Sequence, residues 1–160
     1  MKEIRKNCLG VIFTSIVFLG CSIPYTPIKV EGMAMFPNFK DGDKIFVERN
    51  INDIKRGDII FFKYPKDTTK LYFKRVIGLP NEIVFISKGR VFINVKQIDE
   101  PYLDQSYNQL ENNLLPIKVP ARSYFVLGDN RDNSSNSRSW GTVKKELIIG
   151  KYHSTYWSSN

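Results

Sequence analysis

The sequence is poor in the residues that build disulfide frameworks and metal sites. Of its 160 residues only two are cysteine, Cys8 and Cys21, and both fall within the first 21 positions, so no disulfide can staple the remainder. The single histidine, His153, lies close to the C-terminus. One imidazole with no cysteine near it excludes a zinc site of the Cys/His type and argues against a Ser-His-Asp triad. Neither a metal nor an organic cofactor is expected. Long apolar runs are also scarce. The run Cys8 to Gly20, CLGVIFTSIVFLG, falls short of the roughly 20 residues that a bilayer-spanning helix requires. There is no amphipathic helical pattern of ten residues or more, no repeat and no low-complexity tract.

What is present is charge and β-forming residues. The chain carries 24 Lys+Arg against 16 Asp+Glu, a formal net charge of +8. This balance suits an anionic membrane surface as well as an ordinary solvated face, and nothing in the sequence selects nucleic acid. With 42% hydrophobic and 25% charged residues the chain is expected to fold as one globular domain, neither disordered nor embedded in a membrane.

Lys2, Arg5 and Lys6 precede the apolar run, which together read as the basic and hydrophobic regions of an export signal. The run ends in Phe18-Leu19-Gly20-Cys21, similar to the lipobox of bacterial lipoprotein precursors. That resemblance implies acylation of Cys21, which would become the first mature residue and anchor the protein through its lipid chains. An uncleaved signal anchor is the other arrangement. Either one tethers the protein at the extracytoplasmic face of a bacterial membrane. Residues 1–20 are therefore read as signal peptide or anchor, 21–30 as an extended tether containing Pro24 and Pro27, and 31–160 as the domain proper.

From residue 44 the apolar runs are short, rich in Ile, Val, Phe and Tyr, and separated by turn residues: KIFVE, DIIFFKY, LYFKRVIG, EIVFI, RVFINV and SYFVLG. They predict strands of an all-β domain made of coiled antiparallel sheets. Lys88-Gly89 predicts a hairpin turn, because glycine accepts a positive φ. The polar stretch 99–115, DEPYLDQSYNQLENNLL, reads as a surface excursion between strands.

Four segments then recur in a telling order: EGMAMFPNFKDGD (31–43), RGDIIFFKYP (56–65), FKRVIGLPNE (73–82) and GDNRDNSSNSRSWG (128–141). Together with EPY (100–102), KVPARSYFVLGDN (118–130) and the terminal GK…YW, they resemble the sequence boxes of type I signal peptidases. These are serine peptidases that remove signal peptides from exported preproteins with a Ser-Lys dyad. The resemblance implies that Lys74 is the general base, kept unprotonated by burial, and that Ser134 orients it. Strand alternation puts Tyr72, Lys74 and Val76 on one face and Phe73 and Arg75 on the other, so one of the adjacent cations points into the site. Arginine does not deprotonate, so the base is the lysine. The resemblance further implies a groove for an extended peptide, with Gly32, Met33, Met35, Pro37 and Tyr72 against the substrate.

At the nucleophile position the family pattern Ser-Met-x-Pro-Thr-Leu is replaced by Ala34-Met35-Phe36-Pro37-Asn38-Phe39. A methyl group forms no acyl-enzyme, whereas the backbone N–H of residue 34 and the Gly32-Met33 turn would still offer oxyanion donors. Asn38, Phe39, Asn81 and Asn136 also depart from the family pattern, which favours drift of the whole site over one deliberate replacement. Three readings stay open on the residues alone: a signal peptidase in activity as well as descent, a non-cleaving peptide-binding or regulatory lipoprotein, and an envelope protein that kept only the fold.

Overall fold

The computed structural model describes residues 25–159. Cys8, Cys21 and the export segment lie outside the described residues. The strands are β1 (Tyr25–Lys29), β2 (Lys44–Glu48), β3 (Ile59–Tyr64), β4 (Asp67–Gly78), β5 (Ile83–Ser87), β6 (Arg90–Ile93), β7 (Lys96–Gln97), β8 (Leu114–Lys118), β9 (Ser123–Leu127), β10 (Val143–Lys144) and β11 (Ile148–Trp157). One short helix, α1 (Ser137–Trp140), precedes β10. The strands pair antiparallel in a seven-stranded sheet ordered β1-β2-β11-β3-β4-β9-β10 and a four-stranded sheet ordered β7-β6-β5-β8.

Two strands explain how the layers share their cores. All five residues of β9, SYFVL, are buried. Tyr124 and Val126 point into a cluster with Ile60, Phe62, Val76 and Ile148, while Phe125 and Leu127 point into one with Ile77, Val84, Ile86, Val91 and Ile93. The alternation of β3 works in the same way, with Ile60 and Phe62 on one face and Ile59 and Phe61 on the other, the latter in a third cluster with Val30, Met35, Phe39, Ile45 and Val47. A continuous apolar run signals a strand covered on both faces, and this is where both runs sit.

The β5–β6 hairpin turns at Lys88-Gly89 with φ of 48° and 73°, the two positive values that a tight two-residue turn uses. RVFINV, read as one strand, is broken by a second turn at Asn94-Val95 (φ 47° and 68°) that leads into β7. Part of the stretch read as a tether is β1, paired with β2 along its length. Pro27 is tolerated there because, among the described residues, β1 is an edge strand. β8 begins within the polar stretch 99–115, whose remainder is loop apart from one 3₁₀ turn at Gln105–Tyr107.

The strand least visible in the sequence is β11, IIGKYHSTYW, which pairs with both β2 and β3. Register shifts at Ile148/Gly150, Tyr152/Ser154 and Thr155/Trp157 interrupt its alternation. Beyond it the chain end is fastened to the buried carboxylate of Asp43, which accepts from Ser158 Oγ (3.0 Å) and the Ser159 backbone N–H (2.8 Å). Among the described residues no helix is long and apolar enough to cross a membrane.

Candidate active site

The site is assembled from three parts of the chain. The turn 31–39 leaves β1 and is held under the sheet by Met35 and Phe39, 2% and 6% exposed. Phe39 meets the rings of Phe73 and Tyr152 edge-on at 4.9 and 5.0 Å. β4 brings Lys74. The turn 128–136 approaches from the end of β9 and carries Ser134.

The first and last of these parts meet at Gly128. A Cβ added there would lie 2.2 Å from Ser134 Oγ and 2.3 Å from the Ala34 carbonyl oxygen, so only glycine permits the approach. That carbonyl also accepts from the Asn130 backbone N–H at 3.2 Å. Residue 34 is thereby pinned against the 128–134 turn.

A groove of about 520 Å³ opens beside this junction. One wall is Ile28, Lys29 and Val30 at the end of β1; the other is Leu71, Tyr72 and Phe73 of β4. Gly32, Ala34, Met35, Lys74 and Ser135 also line it. Of the residues that the sequence proposes for the site, Gly32, Ala34, Met35, Tyr72 and Lys74 thus come together. Met33 lies outside the lining and is exposed, and Pro37 and Ser134 are outside it too. Ser135, next to the expected serine, is the lining hydroxyl, and its Oγ accepts from Trp140 Nε1 at 3.2 Å.

Lys74 is 5% exposed. Burial pushes its amine down from the ordinary lysine value to about 8, and the negative charge of Asp129 opposes this. Nζ donates to the Phe73 carbonyl oxygen (3.0 Å) and lies 5.2 Å from the centre of the Tyr72 ring. Ser134 Oγ is buried with no protein hydrogen-bond partner. The two side chains that the family resemblance couples are therefore not hydrogen-bonded to each other.

Arg75, on the opposite face of β4, binds Asp129 through two bonds, Nε to Oδ1 at 2.8 Å and Nη2 to Oδ2 at 2.6 Å, and stacks over the Tyr102 ring at 4.0 Å. The departures from the family pattern are built into this network. Asn38 donates to Asp129 Oδ2 (2.9 Å) and to the Tyr102 carbonyl (2.8 Å). Asn136 is fully buried, donates to the Ser134 carbonyl at 2.9 Å, and accepts from Arg138 Nε and N at 3.1 Å each. The contact to Arg138 survives with a neutral partner. Asn81 has a φ of 71°, a conformation that asparagine tolerates better than most residues. Asn38 and Asn136 thus both find hydrogen-bond partners in the structure.

Sequence reasoning missed the β1 wall, Ser135 and the Arg75–Asp129–Asn38 network. The EPY segment carried a signal for part of it: Tyr102 donates to Glu100, and Glu100 pairs with Arg131, whose Nε reaches the Gly128 carbonyl at 3.0 Å. Among the described residues no three His, Cys, Asp or Glu are grouped so as to hold a metal ion.

Comparison with known proteins agrees with the arrangement. Residues 4–157 match the family model for signal peptidase, peptidase S26. Signal peptidase I T of Bacillus subtilis (strain 168) is 38% identical over 138 residues, covering 79% of this chain and 70% of that protein. Signal peptidase I of Leptolyngbya laminosa is 38% identical over 142 residues, covering 82% and 68%. The crystal structure of a signal peptidase I from Enterococcus faecalis V583 superposes with a TM-score of 0.57 at 32% identity, covering 64% of this chain and 98% of that one. On sequence and on fold alike, the chain belongs to the signal peptidase I family.

Proposed function

We propose that this protein binds extended, signal-peptide-like segments in the groove between β1 and β4 without cleaving them by the family's serine route. One observation carries the reading: the groove keeps its walls, its buried lysine and its backbone turn, while the position facing them is Ala34. A peptide laid along β1 would use main-chain hydrogen bonds for affinity and the apolar walls for selectivity. Methyl cannot attack a carbonyl carbon, so binding outlasts acyl transfer. The substrate-like partners are signal peptides of exported preproteins. The protein works tethered at the extracytoplasmic face of a bacterial membrane, through lipid on Cys21 or through its apolar N-terminal run.

A second reading rests on Ser135. Because Ser135 lines the same groove as Lys74, it is the candidate for a displaced nucleophile among the described residues. Calorimetric titration of the full chain in detergent with a synthetic signal peptide separates the readings when run beside a cleavage assay. Binding without product supports the first reading. Product that disappears in both Ser135→Ala and Lys74→Ala supports the second, and absence of binding overturns both. A mature protein whose N-terminal mass shows neither lipid on Cys21 nor cleavage before it refutes the lipid anchor.

A further inference from the structure

In the serine route a lysine at this place only moves a proton. Here it lines the same groove as Ala34, and among the described residues its amine has no carboxylate in an ion pair with it. Nζ makes a single hydrogen bond, to the neutral Phe73 carbonyl, and rests beside the Tyr72 ring, yet it lines a groove open to ligand. The charged groups nearby do not hold it. Arg75 leaves β4 on the other face and Asp129 is occupied by Arg75 and Asn38, while Lys29 and Glu31 line the groove without, among the described residues, an ion pair from Glu31 to Lys74.

From this geometry we infer that Lys74 is itself a nucleophile, a covalent site for carbonyl ligands of the aldehyde class, above all peptides ending in an aldehyde. The inference deepens the peptide-groove reading and rests on it for which carbonyl reaches the amine. Nζ attacks the carbonyl carbon and a C–N bond forms. The amine proton passes to the oxygen, and loss of water leaves an imine. No oxidant or reductant is needed. Burial lowers this amine to about 8, so that roughly a quarter of it is neutral and nucleophilic near pH 7.5, where an exposed lysine is almost wholly charged. Ala34 puts no hydroxyl at position 34 of the groove to compete with the amine for such a carbonyl.

The experiment uses the full chain in detergent, an acetylated tri-alanine aldehyde, and propanal as a probe that needs no peptide binding. Imines are trapped with cyanoborohydride at pH 7.5 and located by peptide mass spectrometry. Lys74 is expected to label about tenfold faster than the exposed Lys70, and Lys74→Met should lose that adduct while keeping its circular dichroism spectrum. The corresponding tri-alanine alcohol, which cannot form an imine, reports groove binding separately. If the alcohol binds while neither aldehyde prefers Lys74 over Lys70, the covalent inference is overturned and the groove reading stands. If the alcohol fails to bind while propanal still selects Lys74, the nucleophile stands and the groove reading falls.

Discussion

At Lys74 the cost of an amine in an apolar groove depends on pH. The folded-state value of about 8 lies below the ordinary lysine value of 10.5, so between these limits the unfolded chain holds the proton more tightly. Stability should therefore rise with pH from about 8 to 10.5 and be flat below that window. Lys74→Met removes the dependence and, at pH 7, should raise the unfolding free energy by on the order of 3 kcal/mol. Denaturant titrations of both forms at pH 7 and pH 10 check this; a parental chain whose stability does not change across the window contradicts it. Ser134 offers a second residue-scale test. Its hydroxyl has no protein partner, so Ser134→Ala should change stability by less than about 1 kcal/mol. Much of this scale was legible. Lys74, Ala34 and Tyr72 follow from the boxes, but Ser135 does not, because which serine of a Ser-rich turn lines a groove depends on the helix that follows, α1, whose N-cap is Asn136.

Among the elements, the turn that follows β9 does most to shape the site. Gly128 lets it close on Ala34, and Gly128→Ala should destabilise the fold by about 1–3 kcal/mol, since one of the atoms it meets is a backbone oxygen that has no free rotation. Thermal unfolding of this variant reads the effect, and an unchanged midpoint would show that the turn does not pack as described. Breaking the Arg75–Asp129 pair should be costlier. Asp129→Asn leaves a largely buried guanidinium short of its counter-charge, a loss of about 3–5 kcal/mol in unfolding titrations. A loss below about 1 kcal/mol contradicts the network. The strands with dense apolar runs, β3 and β9, were plain in the sequence because burial on both faces leaves no polar alternation to confuse. β1 and β11 were not. An edge strand containing proline resembles a linker, and a bulged strand loses the period of two on which strand recognition depends.

For the whole molecule, the position of the site between the β1 edge and β4 follows from long-range pairing. β11, last in the chain, inserts between β2 and β3, so the groove is complete only when the C-terminal segment is in place. No local pattern announces that order. The family resemblance supplied the architecture and the candidate site, while Asn38 and Asn136 are hydrogen-bonded into the turns around it. A maintained groove without its nucleophile is the centre of the account. Cleavage of a purified preprotein by the full chain tests it most directly, with the parental protein and Ala34→Ser assayed side by side. No product is expected from the parental chain, and Ala34→Ser should give Lys74-dependent product at a rate on the order of a thousandfold or more above the parental background. Cleavage by the parental chain that is lost in Lys74→Ala would contradict it.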